Sequence, residues 1–213
     1  MTVALLHDLG DPDGGALWRS AAPPHWIIPD LPGHGSTPAI RTGHYDPMSV
    51  VAIARWTLAH QSDGADASTL VGVGHNAHPA LISAAGDDCD RVVIVDGLWE
   101  AWRGPAEEID AFYAMVRAIA ADPAATAPPP ASGLDPRATY GYGVMSSARF
   151  AQQFWATIDQ PLLAIETPRS MTPPDERIER IAWFGGATTL VALDTANPAT
   201  IVDAIQTWDP PDH

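Results

Sequence analysis

Residues 70–78 read Leu-Val-Gly-Val-Gly-His-Asn-Ala-His. In this segment, a short apolar run is followed by two histidines and an asparagine. The apolar run is typical of a buried strand, and its glycines permit a sharp turn into a helix. Imidazole groups transfer protons near neutral pH, and the amide of Asn76 both donates and accepts hydrogen bonds. Because an amide is a poor nucleophile, the turn favours proton transfer over covalent catalysis.

Further groups that can hold or move protons follow the other apolar runs of the chain. Since the carboxyl ends of parallel strands meet at one edge of a sheet, we expect these groups to share a ligand crevice. The expected catalytic residues are Asn76, His78, His7 and Asp96. The expected substrate-binding residues are Asp8, His34, Trp99 and Glu166.

Several of these histidines and carboxylates also have a structural interpretation. Asp96 fits a relocated catalytic acid and a purely structural turn or helix-cap residue equally well. His34 and His75 are more typical of packing than of catalysis, and His78 is open to either interpretation. The spacing of His75 and His78 is typical of metal ligands, but no third histidine is placed with them, so we expect no metal and no cofactor.

The turn at residues 74–78 resembles the Gly-x-Ser-x-Gly nucleophile elbow of the α/β-hydrolase superfamily, with Asn76 at the serine position and His78 at the second glycine. Residues 26–36, Trp-Ile-Ile-Pro-Asp-Leu-Pro-Gly-His-Gly-Ser, are similar to the superfamily signature Asp-x-x-Gly-x-Gly-x-Ser. Residues 2–10 resemble the strand and the His-Gly-type loop that precede this signature. The motifs follow in the family's order over nearly the whole chain, which is therefore identified as a member of the superfamily.

This resemblance implies an α/β-hydrolase fold, with a mostly parallel sheet, helices on both faces and a small helical cap insertion. It places the core at residues 1–98 and 161–213, and the helical cap or lid at residues 99–160. Strands are predicted at 2–6, 26–29, 68–73, 91–95, 161–166 and 187–193. Helices are predicted at 47–60 and 77–86, after Asn197-Pro198, and within the cap at 106–121 and 146–158.

The resemblance also implies a Ser-His-Asp triad, but none of its three members stands at the matching position. Asn76 replaces the nucleophile, and residues 166–170 read Glu-Thr-Pro-Arg-Ser where the acid is expected. Only two residues separate Asp194 from the helix start at Asn197, so the loop that would carry the histidine is absent. Asp8 replaces the glycine of the oxyanion loop, and its carboxylate would repel an oxyanion.

Composition excludes several classes of function. The chain of 213 residues has a formal net charge of −15, which opposes binding to nucleic acid and to anionic membranes. Its 11 basic residues are all arginines, so it has no Schiff-base lysine and no P-loop lysine. Cys89 is the single cysteine, and its polar neighbours predict a surface loop or a helix end. The acidic residues near the start and the lack of an apolar run of about 18 residues predict a cytoplasmic protein without a membrane span.

Three functions remain open. The first is a cofactor-independent enzyme, a lyase, cyclase or isomerase, that transfers protons on a small carbonyl-containing metabolite. The second is a pseudo-hydrolase that binds a ligand or a partner without catalysis, and the third is a hydrolase with an atypical centre. A small molecule is the expected ligand, while the oligomeric state is left open. The composition, rich in Ala, Pro, Asp and Arg, is typical of high-GC bacteria and favours natural-product metabolism.

Overall fold

A computed structural model describes residues 2–8, 13, 15–38, 47–61, 68–98, 153–170 and 172–210. The strands are β1 (Thr2–Leu6), β2 (Ser68–Val73), β3 (Arg91–Val95), β4 (Leu162–Glu166) and β5 (Thr188–Ala192). The helices are α1 (Ala16–Ala21), α2 (Pro47–Gln61), α3 (Ala77–Ala85), α4 (Pro174–Ile181) and α5 (Pro198–Thr207). One turn of 3-10 helix, Gly74–Asn76, joins β2 to α3. Of the predicted cap, residues 153–155 are helical, and residues 99–152, including Trp99, lie outside the described residues.

The strands form a single parallel sheet in the order β1-β2-β3-β4-β5. In the register of the sheet, Leu6 lies beside Gly72, Val73 beside Val95, and Ile165 beside Val95 on the other side. All five strands therefore end at the same edge of the sheet, and the loops that follow them meet there. This parallel arrangement agrees with the sequence prediction.

The predicted strand at residues 26–29 is reduced to a single bridge, in which Ile27 pairs with Ala4 of β1. The Leu5 N–H donates to the Ile27 carbonyl, and the Ile27 N–H donates to the Val3 carbonyl, both at 2.9 Å. Pro29 has no N–H, so the pairing cannot continue along this edge. The prediction of a full strand here was wrong in extent but correct in position.

Apolar side chains of the sheet alternate between two cores, one on each face. One core joins Ala4, Leu70, Ile94 and their neighbours to α2 and α3. The other joins alternate residues of the same strands to Trp18 of α1 and to α5. Helices on both faces explain why the strands are almost continuously apolar, since each side of the sheet is buried.

The last two helices show which sequence signals allowed a helix to be predicted and which did not. Asn197 caps α5, because its Oδ1 accepts a hydrogen bond of 3.0 Å from the N–H of Ala199, and Pro198 opens the helix as predicted. Helix α4 was missed by the sequence prediction because its residues 174–181, Pro-Asp-Glu-Arg-Ile-Glu-Arg-Ile, are mostly charged. Its buried residue is Arg180, and only Ile181 beside it packs partly against the core, so the packed face of α4 lacks a continuous apolar stripe.

Cys89 is buried, which corrects the prediction of a surface position. Burial, with the charges of Asp88 and Asp90, raises the pKa of its thiol to about 12. The thiol therefore stays protonated near neutral pH and is a poor nucleophile. Within the described residues, no helix combines the length and the apolar character that a membrane crossing requires.

Candidate functional site

Asp8 and His75 form a carboxylate–imidazole pair at the carboxyl ends of β1 and β2. The Asp8 Oδ1 accepts hydrogen bonds from the His75 backbone N–H at 3.2 Å and from its ring Nδ1 at 3.1 Å. Because a carboxylate only accepts, this contact fixes the hydrogen on Nδ1 and makes Nε2 the basic nitrogen. The side chains are 39% and 28% exposed for Asp8 and His75, so solvent reaches the pair.

Gly74 makes the approach of these two side chains possible. Its φ of 56° lies in the left-handed region, which a glycine adopts at little cost. A Cβ at this position would lie 2.5 Å from the Asp8 Cγ. The glycine thus gives the carboxylate room to lie against the turn and reach His75.

Asn76 turns inward at the start of α3. Its side chain is fully buried, and its Nδ2 donates a short hydrogen bond to the carbonyl oxygen of His7. Its Oδ1 is buried and has no hydrogen-bond partner among the described residues. The structure therefore places the predicted Asn76 beside His7, with one amide donor already engaged.

His7 and His34 lie together below this turn, with their ring centroids 5.1 Å apart. Both rings are fully buried. The Leu31 N–H donates to the His7 Nε2 at 3.4 Å, so the His7 Nδ1 carries the hydrogen and donates to the Asp8 carbonyl at 2.9 Å. The His34 Nδ1 lies 3.1 Å from the Pro32 carbonyl. These contacts hold in place the loop that follows β1 and the loop that follows Ile27.

His78 lies in the first turn of α3 and is half-buried. Its ring centroid is 5.9 Å from that of Phe154. Burial lowers the pKa of His78, so its imidazole is mainly neutral near neutral pH. A neutral imidazole can accept a proton, and the predicted catalytic assignment of His78 therefore remains a prediction.

The conformation of residues 30–36 is organised by Asp30. Burial opposes ionisation of Asp30, but hydrogen bonds from the N–H and hydroxyl of Ser36 and from Arg19 lower its pKa overall. Gly35 has a φ of 51°, and a Cβ there would lie 2.7 Å from the Asp30 Oδ2. The Asp30 carboxylate thus organises this loop and ties it to Arg19 of α1, and Gly35 gives the carboxylate the room it needs.

Asp96 ties the end of β3 to the end of β4. It adopts a φ of 54°, a left-handed conformation that is uncommon outside glycine. Its Oδ1 accepts from the Thr167 N–H at 2.7 Å, and its Oδ2 accepts from the Thr167 hydroxyl at 2.8 Å. The structure brings Asp96 to the same sheet edge as the Asp8–His75 pair, as predicted, but engages both of its carboxylate oxygens.

Glu166 is fully buried at the end of β4. It accepts a short hydrogen bond from the Ser170 hydroxyl and one of 3.4 Å from the Leu98 N–H, and the Arg177 Nε lies 3.6 Å from its Oε2. Burial raises the pKa of Glu166, and the charge of Asp96 raises it further against the opposing effects of these partners. Its predicted role in substrate binding stays a prediction, since this carboxyl group lies away from solvent.

The raised pKa of Glu166 predicts a pH-dependent loss of stability. The folded state binds this proton more tightly than the unfolded state, so the contribution is complete below the ordinary value of 4.5 and is lost as pH rises through the folded pKa. Glu166→Gln stays neutral, so we expect its stability relative to the wild type to increase as pH rises from about 5 towards neutrality. Urea unfolding at a series of pH values measures this difference.

The Glu179→Gln change on α4 is the matched control, because it makes the same substitution at an exposed position. A constant difference between Glu166→Gln and the wild type over the same pH range would contradict the raised pKa.

Among the described residues, no group of three or more His, Cys, Asp or Glu side chains is arranged to hold a metal ion. His75 and His78 are thus not joined there by a third ligand, although their spacing is typical of a metal site.

Comparisons with known proteins bear on the fold. No protein-family model matches the chain, and none of the curated proteins matches it. Among solved structures, the thioesterase domain from the curacin biosynthetic pathway is 15% identical, with 97% of this chain and 91% of that chain covered and a TM-score of 0.73. A monoacylglycerol lipase from Paleococcus ferrophilus is 18% identical, with 97% and 93% covered and a TM-score of 0.67. An α/β hydrolase from Sphaerobacter thermophilus is 16% identical, with 96% and 90% covered and a TM-score of 0.60.

The chain has the α/β-hydrolase fold. In that fold the turn between β2 and α3 carries the nucleophile on a strained backbone that exposes its side chain. Here Asn76 has a φ of −82° and a ψ of −1°, and the positive φ lies at Gly74 instead. The left-handed residue of this sharp turn is therefore Gly74, two residues before the Asn76 that the resemblance placed at the nucleophile position.

The residue that sequence reasoning missed is His75. Its position before the expected nucleophile favoured packing, yet the structure pairs it with Asp8 at the edge where this fold places its chemistry. The two signals in the sequence were an acidic residue after β1 and a second glycine, Gly74, immediately before His75. Neither signal identifies the contact without the sheet register.

Proposed function

We propose that the chain is a cofactor-independent, non-hydrolytic enzyme that transfers protons on a small carbonyl-containing metabolite, as lyases, cyclases and isomerases do. The observation that supports this most is the contact of 3.1 Å between the Asp8 Oδ1 and the His75 Nδ1, made by two partly exposed side chains. A carboxylate that orients an imidazole is a common arrangement for general acid–base catalysis. Asp8 then orients the base instead of binding the substrate.

In the proposed reaction, the His75 Nε2 removes a proton from the carbon next to the substrate carbonyl. The electron pair of the broken C–H bond forms the enolate double bond, and the carbonyl oxygen takes the negative charge. The resulting imidazolium, stabilised by Asp8, returns the proton to the same or to a neighbouring carbon. The N-terminus of α3 lies directly after this turn, and its dipole favours the negative charge of the enolate.

The wider sequence predictions belong to this proposal. Asn76 and His78 would contact the substrate, while His7 and Asp96, which the sequence predicted as catalytic, would instead hold the loops of the site. A helical cap at residues 99–160, with Trp99 facing the ligand, would enclose the site. The proposal also includes a degenerate triad, a cytoplasmic location and a place in natural-product metabolism.

A second candidate function is ligand binding without catalysis. Specific observations favour it: the Asn76 Nδ2, both ring nitrogens of His7 and both oxygens of Asp96 are engaged in internal hydrogen bonds. A site whose polar groups satisfy one another is stable without a substrate, as expected for a pseudo-hydrolase. The exposed Asp8–His75 pair is what favours the enzyme.

Hydrogen–deuterium exchange tests the proposed proton transfer. The protein is incubated in D₂O with a panel of small ketones, esters and thioesters, and NMR follows deuterium entering the carbon next to the carbonyl. We expect at least one compound to exchange faster than with heat-denatured protein, with saturation as its concentration rises. A panel that stabilises the fold without exchange would support non-catalytic binding, and a panel without either effect would contradict both functions.

Ester hydrolysis provides a separate expectation. The wild type should not turn over short-chain p-nitrophenyl esters, because no serine, cysteine or aspartate stands at residue 76 and the loop after β5 carries no histidine. Asn76→Ser should remain inactive too, since a serine without an adjacent base is a weak nucleophile. Saturable turnover by the wild type would instead favour a hydrolase with an atypical centre.

A further inference from the structure

We propose that Asn76 selects substrates that carry a hydroxyl group beside the carbonyl, by accepting a hydrogen bond at its Oδ1. This inference rests on the proposed proton transfer at His75 and names the substrate class, an α-hydroxy ketone or a close relative. It gives the predicted catalytic residue Asn76 the role of recognising a donor with its oxygen, while its Nδ2 stays bonded to His7.

The orientation of the Asn76 amide follows from its neighbour. The His7 carbonyl oxygen can only accept, so the end of the amide that faces it must be the Nδ2 end. The Oδ1 is therefore turned away from His7. The opposite assignment would place two acceptors in contact.

The Asn76 Oδ1 is a buried acceptor without a partner among the described residues. Buried polar atoms in folded proteins are nearly always hydrogen-bonded, because leaving one unsatisfied is costly. The nearby Nδ2 contact shows that the side chain is held in position, so the missing partner is not explained by a loose side chain. A ligand donor would satisfy the oxygen.

The position of this acceptor suits a ligand at the base. Asn76 and His75 are consecutive, and they contact the consecutive residues His7 and Asp8 at the end of β1. In the proposed complex, a compound that presents its acidic carbon to His75 extends a neighbouring hydroxyl into the turn to reach the buried Asn76 Oδ1. A neutral hydroxyl fits a buried neutral acceptor better than an ammonium group, whose desolvation is far more costly.

Paired probes test the inference. 1-Hydroxy-2-butanone and 1-methoxy-2-butanone share an ethyl ketone, and deuterium exchange at carbon 3 is measured for both, each corrected for its uncatalysed rate. The methoxy compound cannot donate and would leave the Asn76 Oδ1 unpaired, so we expect the wild type to prefer the hydroxy compound by at least about tenfold in kcat/KM.

Two variants of Asn76 assign that preference to the residue. Asn76→Leu has a similar size and no acceptor, so the ratio of the two rates should fall to about one. Asn76→Asp keeps an acceptor, and only its protonated form can also donate to the His7 carbonyl. The preference should therefore recover in Asn76→Asp as pH is lowered, which a loss of folding would not produce.

The outcomes separate this inference from the proposed function. Equal rates for the two probes in the wild type, or an unchanged ratio in Asn76→Leu, would overturn the role of Asn76 and leave proton transfer intact. Exchange of neither probe, when other ketones of the panel exchange, would also overturn it. Exchange of no compound at all would overturn the inference together with the proposed function.

Discussion

His75→Gln is expected to lower the rate of hydrogen–deuterium exchange by about 10²- to 10⁴-fold, the usual contribution of a general base. Glutamine reaches about as far as histidine, and its amide can still donate to Asp8. It cannot take up a proton near neutral pH. The variant therefore removes the basic nitrogen while keeping the contact that holds the turn, and NMR exchange rates measure the effect.

Asp8→Asn should also lower the rate, because an amide no longer fixes the hydrogen on the His75 Nδ1 or stabilises the imidazolium. His25→Gln is the matched control, since this histidine is exposed on the loop after α1, and it should leave the rate unchanged. Melting temperatures of the three variants identify any loss of folding. An exchange rate that survives His75→Gln would remove His75 from the reaction.

The sheet could be predicted almost entirely from the sequence. Strands that are buried on both faces consist of continuous apolar runs, so β1, β2 and β3 were predicted with their observed bounds. The segment at 26–29 has the same apolar character, but its proline removes a backbone donor that a ladder needs. Helix α4 escaped prediction because the contact that anchors it is made by a charge: Arg180 donates to the Leu98 carbonyl at 2.7 Å.

The members of the site could be predicted, but their pairing could not. Hydrophobic patterning identifies which polar residues follow each strand. It therefore predicted that Asp8, Asn76 and Asp96 lie at one edge of the sheet. Which of them touch depends on the strand register and on side-chain rotamers, which no local pattern records. Asp8 is 67 residues from His75, so that contact exists only in the folded sheet.

The resemblance to a nucleophile elbow led to one wrong detail of the turn. The motif predicts a sharp, strained turn at residue 76, where the nucleophile of the superfamily stands. In this chain Gly74 takes the left-handed conformation without steric cost, so Asn76 keeps an ordinary backbone conformation. A side chain that is not forced outward can turn inward, as Asn76 does.

Gly72→Ala is expected to destabilise the protein by at least about 3 kcal/mol, at the upper end of the usual cost of overpacking. A Cβ at Gly72 would overlap the Asn76 carbonyl oxygen and lie 2.7 Å from the Ala77 Cα and 2.8 Å from the Ala80 Cβ. Two of these three atoms belong to the backbone, so they cannot move aside by a change of rotamer. The only relief is a shift of α3 away from β2.

Such a shift would also disturb the candidate site, since α3 begins at the turn that carries His75 and Asn76. We therefore expect the fraction of Gly72→Ala that stays folded to lose exchange activity as well. Urea unfolding measures the change in stability, and exchange rates on the folded fraction measure the change in function.

Gly86→Ala is the matched control for this substitution. Its nearest neighbour is the Arg55 Nη2 at 2.8 Å, the far end of a flexible side chain, and its φ of −97° suits any residue. We expect this variant to stay within about 1 kcal/mol of the wild type, as most surface substitutions do. If Gly72→Ala lowered the stability as little as Gly86→Ala, α3 would not pack on β2 as closely as the structure shows. The inward position of Asn76, at the start of α3, would then be in question. A large loss confined to Gly72→Ala would instead show that α3 packs on β2 too closely to admit a side chain at residue 72.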